Sequence, residues 1–160
     1  MRIPFRIGQG YDVHRFEEGR ELWLGGIRID YPLGLKGHSD ADVLLHAISD
    51  ALLGSLSLRD IGYHFPDTDP RYKGADSKVL LEEVAKLVAD KGYKIGNIDA
   101  TIVAEQPKIN PHVEAMQTVI AGLLGIEVGQ ISIKATTNEK MGFTGRQEGI
   151  LAIATALVYL

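Results

Sequence analysis

Ile150-Leu151-Ala152-Ile153-Ala154-Thr155-Ala156-Leu157-Val158-Tyr159-Leu160 is the stretch on which the fold turns. It is nearly all apolar. Ala152, Ala154 and Ala156 would suit a helix, but its length and its alternating β-branched residues favour a strand. A strand needs neighbours, and the chain offers them. Residues 3–11 read as a strand broken by Gly8 and Gly10, residues 98–104 as a second and residues 131–134 as a short third. Gly25-Gly26, flanked by residues 21–24 and 27–29, is a two-residue hairpin signal. Between the strands lie three amphipathic stretches. Ser39 or Asp40 is placed to cap a helix running to about Leu53, with Val43, Leu44, Ala47, Ile48, Ala51 and Leu52 apolar and Asp42, His46 and Asp50 on one polar face. Asp76 or Ser77 caps a second helix ending before Gly92, with a stripe of Val79, Leu80, Val84, Leu87 and Val88. Asn110-Pro111 opens a third, which Gly125 closes. Residues 32–37, 58–74 and 136–149 read as loops. The expected fold is α/β, an α+β-type two-layer sandwich in which helices cover one face of a mixed sheet, as a single domain over residues 1–160. An apolar sheet with its second face bare needs a partner, which points to an oligomer.

Composition narrows the class. The 160 residues suffice for one real core, and 45% hydrophobic with 24% charged residues is an ordinary globular balance. A net charge of -4 argues against a nucleic-acid or anionic-membrane binder held by bulk charge. There is no cysteine, so any metal must be held by His, Asp, Glu or water. No signal-peptide core and no bilayer-length apolar run is present, and the expected setting is cytoplasmic.

Three clusters carry chemistry. In Gly10-Tyr11-Asp12-Val13-His14, Asp12 and His14 sit at i and i+2, on one face of a strand. With His46 from the first helix they supply three oxygen and nitrogen ligands, the number that leaves a catalytic metal, most plausibly zinc, one open position. A second cluster runs from Lys134 to Arg146. Thr136 and Thr137 offer hydroxyls, Glu139 suits a hard cation such as Mg²⁺, Lys140 and Arg146 offer charge to phosphate, and Gly142 and Gly145 allow close backbone approach. No Walker loop is present. The third is Phe65-Pro66-Asp67-Thr68-Asp69-Pro70, a stiff turn with two carboxylates suited to a polyol or a cation. Ala104-Glu105-Gln106-Pro107-Lys108, where a strand gives way to a helix, could present backbone amides to a nucleobase.

The order and spacing of these pieces carry a resemblance. Tyr11 to Phe16, His38-Ser39-Asp40-Ala41-Asp42-Val43, Asp60-Ile61-Gly62, residues 65–70, Pro107-Lys108, and Lys134 to Lys140 followed by Gly142-Phe143-Thr144-Gly145-Arg146 resemble the 2-C-methyl-D-erythritol 2,4-cyclodiphosphate synthase family over essentially the whole chain. The resemblance implies a lyase of the non-mevalonate isoprenoid pathway. In it the 2-phosphate of a cytidine diphosphate ester of methylerythritol attacks the β-phosphorus, releasing CMP and closing a cyclic diphosphate. It implies zinc at Asp12, His14 and His46, Mg²⁺ or Mn²⁺ at Glu139, and transition-state stabilisation by His38 and Thr137. Ser39 matches a phosphate-contacting hydroxyl, beside Val13 in the first motif and Thr136 and Asn138 in the loop. Asp60, Ile61 and Gly62, with Phe65, Pro66, Asp67, Thr68 and Asp69, match the methylerythritol-binding segments. Ala104, Glu105, Gln106, Pro107, Lys108, Ile109 and Asn110 match the cytidine pocket. The family pattern is a homotrimer with active sites between subunits and an axial apolar cavity that can hold an isoprenoid diphosphate, with Phe143 and Arg146 near its mouth. Tyr11 stands where some relatives have Phe, Asn138 where Thr is frequent, and Glu105-Gln106 falls in a variable part of the loop. At 160 residues the chain reads as monofunctional, without a fused cytidylyltransferase. Two other functions fit parts of the pattern: a metal-dependent hydrolase of nucleotide diphosphates using the same trio, and a module that only binds isoprenoid diphosphates.

Overall fold

The computed structural model describes residues 3–160. In chain order it runs through a long strand β1 (Phe5–Glu18), a hairpin of β2 (Leu22–Leu24) and β3 (Ile27–Ile29), a short strand β4 (Leu33–Leu35), helix α1 (Val43–Ser55), a single turn α2 (Ile61–His64), helix α3 (Ser77–Asp90) and strand β5 (Lys94–Val103). Helix α4 (Val113–Leu124), strand β6 (Ile131–Thr136), a turn α5 (Gly142–Gly145) and strand β7 (Gly149–Tyr159) complete it. The main sheet has the order β4-β1-β7-β5-β6 and is antiparallel except for the β5/β6 pair. The mixed sheet with helices on one face is as the sequence implies.

The stretch that decides the fold is a strand, and a central one. In β7, Ile150, Ala152, Ala154, Ala156 and Val158 face the helices and are buried, while Leu151, Ile153, Thr155, Leu157 and Tyr159 face the other way. The alanines mark a tight helix-to-sheet contact rather than helical preference. The same contact corrects the reading of β1. Gly8 and Gly10 do not break it, since β1 pairs with β7 in unbroken register from Phe5↔Tyr159 to Arg15↔Gly149. They are glycines because α1 lies directly on them. A Cβ on Gly10 would stand 1.8 Å from the Ala47 carbonyl oxygen, and one on Gly8 2.1 Å from that of Ala51.

Helix α1 is buried between sheet and α3, so nearly all its residues are core. The polar face expected for it is not a solvated one. Its cap is Asp42, not Ser39 or Asp40. The fully buried Asp42 carboxylate accepts from Leu45 N at 3.1 Å, and from Gly25 N and Gly26 N at 2.9 and 2.7 Å. One side chain thus starts α1 and pins the β2–β3 hairpin, whose glycines take left-handed φ of 62° and 78°. Asp76 caps α3 and Gly125 ends α4 in the left-handed region, as read. Leu81, not the exposed Val79, joins the α3 stripe. Asn110–His112 forms a 3-10 turn ahead of α4 without an Asn cap bond. The three segments read as loops contain β4, α2 with a 3-10 turn at Pro70–Tyr72, and α5. The second face of the sheet is open in one chain and carries Phe5, Ile7, Tyr11, Val13 and Tyr159, all well exposed.

Candidate metal centre and its clefts

β1 presents Asp12 and His14 on its helix-facing side, and the first turn of α1 brings His46 against them. Asp12 Oδ2 lies 3.0 Å from His14 Nε2 and 3.1 Å from His46 Nδ1, and the two nitrogens are 3.3 Å apart. The outer ring nitrogens settle the tautomers. His14 Nδ1 is 2.6 Å from the Lys36 carbonyl, which can only accept, so Nδ1 carries the hydrogen and Nε2 is bare. His46 Nε2 is 2.8 Å from Ser77 Oγ. Ser77 Oγ in turn donates to Asp40, so it accepts from His46 and leaves Nδ1 bare. Three lone pairs therefore converge with no hydrogen among them, an arrangement that a cation relieves. Tetrahedral zinc, with bonds of about 2.0–2.1 Å, holds its ligand atoms roughly 3.3 Å apart, so the trio fits the ion. Asp12, His14 and His46 form the group of potential metal ligands found among the described residues.

The same crowding governs protonation. Without a metal a proton takes its place between the rings and the carboxylate: burial opposes the charge on Asp12, but hydrogen bonds from His14 and His46, once these rings are protonated, outweigh it and bring the carboxyl down to about 2. Burial disfavours the His14 cation, yet Asp12 beside it raises the imidazole above its ordinary value.

A cleft of about 260 Å³ opens beside the trio. His38, Ser39, Ile61, Gly62, Phe65 and Asp67 line it together with Asp12, His14, His46 and Asp50. His38 is exposed at the rim, its Nε2 3.9 Å from Asp67 Oδ2. Asp60 caps α2 by accepting from Tyr63 N at 2.9 Å, and Asp50 anchors that turn by accepting from Ile61 N at 2.8 Å. Pro66, Thr68 and Asp69 lie on the loop outside the lining, and Asp69 is taken up by Arg71.

The other predicted residues gather elsewhere. The parallel ends of β5 and β6 form a cleft of about 190 Å³ lined by Ala104, Glu105, Pro107, Lys108, Ile109, Asn110, Thr136 and Thr137. The Gln106–Pro107 peptide in its wall is cis, and Gln106 itself is exposed. Asn138 and Glu139 follow in the chain and are exposed, outside the lining, with Glu139 N donating to Thr137 Oγ1 at 3.3 Å. No lining residue is common to the two clefts. Phe143, with Val13, His14 and Arg15, lines a third hollow of about 530 Å³, while Arg146 pairs with Glu148 at 2.8 Å.

Sequence reasoning missed the residues that hold the site. Arg20 clamps the loop of His38 and Ser39 by donating to the carbonyls of Gly37 and Ser39, both at 2.7 Å. The Asp40–Ser77 pair, which orients His46, joins positions 37 apart. Neither has a local signal, because the partners meet only once α1, α3 and β1 are packed.

A mixed sheet covered by helices on one side, with a carboxylate and two imidazoles aimed at one point beside a cleft, defines a small α/β protein with a group able to hold a metal ion. Residues 5–159 match the model of the YgbB family, and the chain belongs to that family. It is 64% identical over 158 residues to a 2-C-methyl-D-erythritol 2,4-cyclodiphosphate synthase of Porphyromonas gingivalis, covering 99% of this chain and 98% of that one. Among solved structures it resembles the bifunctional IspDF of Campylobacter jejuni (TM-score 0.93, 43% identity, 98% of this chain and 42% of that one). It also resembles IspF of Plasmodium falciparum in a CDP complex (TM-score 0.86, 35% identity, 99% and 98%).

Proposed function

We propose that this chain is a cyclodiphosphate synthase, a phosphorus–oxygen lyase of isoprenoid biosynthesis. It converts 4-diphosphocytidyl-2-C-methyl-D-erythritol 2-phosphate to 2-C-methyl-D-erythritol 2,4-cyclodiphosphate and CMP. The observation that carries the reading is the convergence of three unprotonated donor atoms at the mouth of the first cleft, in a chain 64% identical to such a synthase. An oxygen of the 2-phosphate attacks the β-phosphorus in line, the bond from β-phosphorus to the bridging oxygen breaks, and the electron pair leaves with CMP. The nucleophile belongs to the substrate, which accords with a site built of cation ligands, hydroxyls and imidazoles. The chain's task is to fold a polyanion back on itself and hold it.

Asp12, His14 and His46 would hold zinc, and Glu139 would hold Mg²⁺ or Mn²⁺. Bound there, such ions supply Lewis-acid polarisation of the phosphates. His38 on its exposed loop, steadied by Arg20, is placed to meet charge developing on the transferred phosphoryl group, and Ser39 and Thr137 offer hydroxyls to it. Asp60, Gly62 and the Phe65–Asp69 loop take the methylerythritol end, and residues 104–110 take the cytidine. Two clefts without a shared wall would each receive one end of the substrate. The bare apolar sheet face gives copies of the chain a surface on which to assemble, and both features support a homotrimer with sites between subunits. An axial cavity in that trimer, reached past Phe143, would accept an isoprenoid diphosphate. The substrate is a highly charged metabolite that a bilayer retains, so the reading places the reaction in the cytoplasm. Among the described residues no helix is long and apolar enough to cross a membrane.

Release of CMP from the cytidylyl substrate tests the reading. It is expected from the wild-type protein with Mg²⁺, and its loss is expected in His46→Ala and after chelation. Undiminished release by His46→Ala would refute the role of the trio.

A further inference from the structure

We propose that Glu105 is a positioning residue whose carboxylate shapes the segment carrying Thr137 and Glu139; this rests on the reading of those two residues given above. Glu105 Oε1 accepts from Asn138 N at 3.2 Å and from Lys140 N at 2.9 Å, across 33 and 35 residues of chain. The two amides flank Glu139. Glu139 and Lys140 both take left-handed backbone conformations, with φ of 52° and 62°, which side-chain-bearing residues rarely adopt. The backbone bends so that these two alternate amides meet on one oxygen, a concavity that suits an anion, and here the chain fills it with its own carboxylate.

The rest of the segment is tied locally. Thr137 Oγ1 accepts from Glu139 N, Asn138 Nδ2 donates to Met141 O, and Gly145 leaves the Lys140 backbone room, since a Cβ there would stand 2.2 Å from the Lys140 carbonyl carbon. Glu105 is the side chain that binds this segment to the loop after β5. That loop also supplies Pro107, Lys108 and Asn110 to the second cleft. The conformation of Glu139 is therefore linked to the wall of the proposed cytidine pocket. The resemblance placed Glu105 in the pocket as one of its lining residues. The geometry gives its side chain a separate task.

Glu105→Ala, Glu105→Asp and Glu105→Gln test this, read by amide exchange at Asn138 and Lys140, by the Mn²⁺ concentration for half-maximal turnover, and by substrate KM. Glu105→Ala removes the acceptor and Glu105→Asp falls one methylene short. Both are expected to speed exchange at the two amides and to raise the Mn²⁺ requirement about 10-fold or more, the scale of lost support around a metal ligand, with a much smaller change in KM. Glu105→Gln keeps a carbonyl acceptor and is expected to recover most of both losses. Unchanged exchange in Glu105→Ala or Glu105→Asp would overturn the proposal. So would a Mn²⁺ requirement unchanged in Glu105→Ala alongside a raised KM, which would make Glu105 a substrate contact instead. The exchange measurement needs no turnover: an inactive wild type would count against the cyclase reading, while the amides would still decide the role of Glu105.

Discussion

Asp12, His14 and His46 are held so that each turns an unprotonated atom inward, and the holding is done from outside the trio. The trio itself is legible in sequence, because i and i+2 on a strand share a face and His46 opens the following helix. Its supports are not, because Ser77, Asp40, Arg20 and the Lys36 carbonyl become neighbours only through packing. Ser77→Ala is expected to weaken zinc binding about 10- to 100-fold without unfolding the chain, measured by competition with a chelator. The pH dependence follows from the shifts at Asp12 and His14. Without metal, the lowered Asp12 contributes stability that is present above its unfolded value of 3.8 and lost as pH falls toward about 2. The raised His14 contributes stability that is complete below 6.5 and lost as pH rises through its folded value. Zinc needs the bare ring. Metal-free protein is thus expected to lose stability as pH rises past His14, while the extra stability conferred by zinc grows over the same range. Thermal unfolding with and without zinc, from about pH 5 to 8, checks both slopes.

At the scale of elements, two details decide how tightly α1 sits on the sheet. One is Gly8 and Gly10, which look like strand breakers in sequence but are the surface against which Ala47 and Ala51 pack. The pattern of small residues on both partners was visible, but not that they meet. The other is Asp42, a better cap than Ser39 or Asp40 because those two are occupied elsewhere: Ser39 Oγ accepts from Ala41 N, and Asp40 accepts from Ser77. Gly10→Ala is expected to destabilise by about 1–3 kcal/mol through backbone displacement. Asp42→Ala leaves three backbone donors, at Gly25, Gly26 and Leu45, without their acceptor in the core and is expected to cost about 3 kcal/mol or more. Urea unfolding, with the midpoint lowered at unchanged slope, measures each. β7 and the hairpin at Gly25-Gly26 were readable because alternation and turn chemistry are local. The one-turn helices α2 and α5 were not, being too short to leave a periodic trace.

At the scale of the molecule, the residues proposed to meet the substrate divide between two clefts on one chain, whose sheet also leaves an apolar face open. In the proposed trimer, assembly between copies would unite halves that a single chain keeps apart. The apolar strands with helices for only one face already pointed to a partner in the sequence, but the grouping of the loops into two clefts needed coordinates, since sequence order says nothing of which cleft a loop joins. Subunits of His46→Ala co-assembled with subunits of Thr137→Ala are expected to recover turnover that neither variant has alone, because some sites then draw both intact halves from different chains. No recovery in verified mixed assemblies would place both halves in one subunit. The most direct test of the central claim is phosphorus NMR of the protein with the cytidylyl methylerythritol 2-phosphate substrate and Mg²⁺. The account predicts a cyclic diphosphate appearing in step with CMP and abolished by chelator; CMP accompanied only by linear phosphates would contradict it.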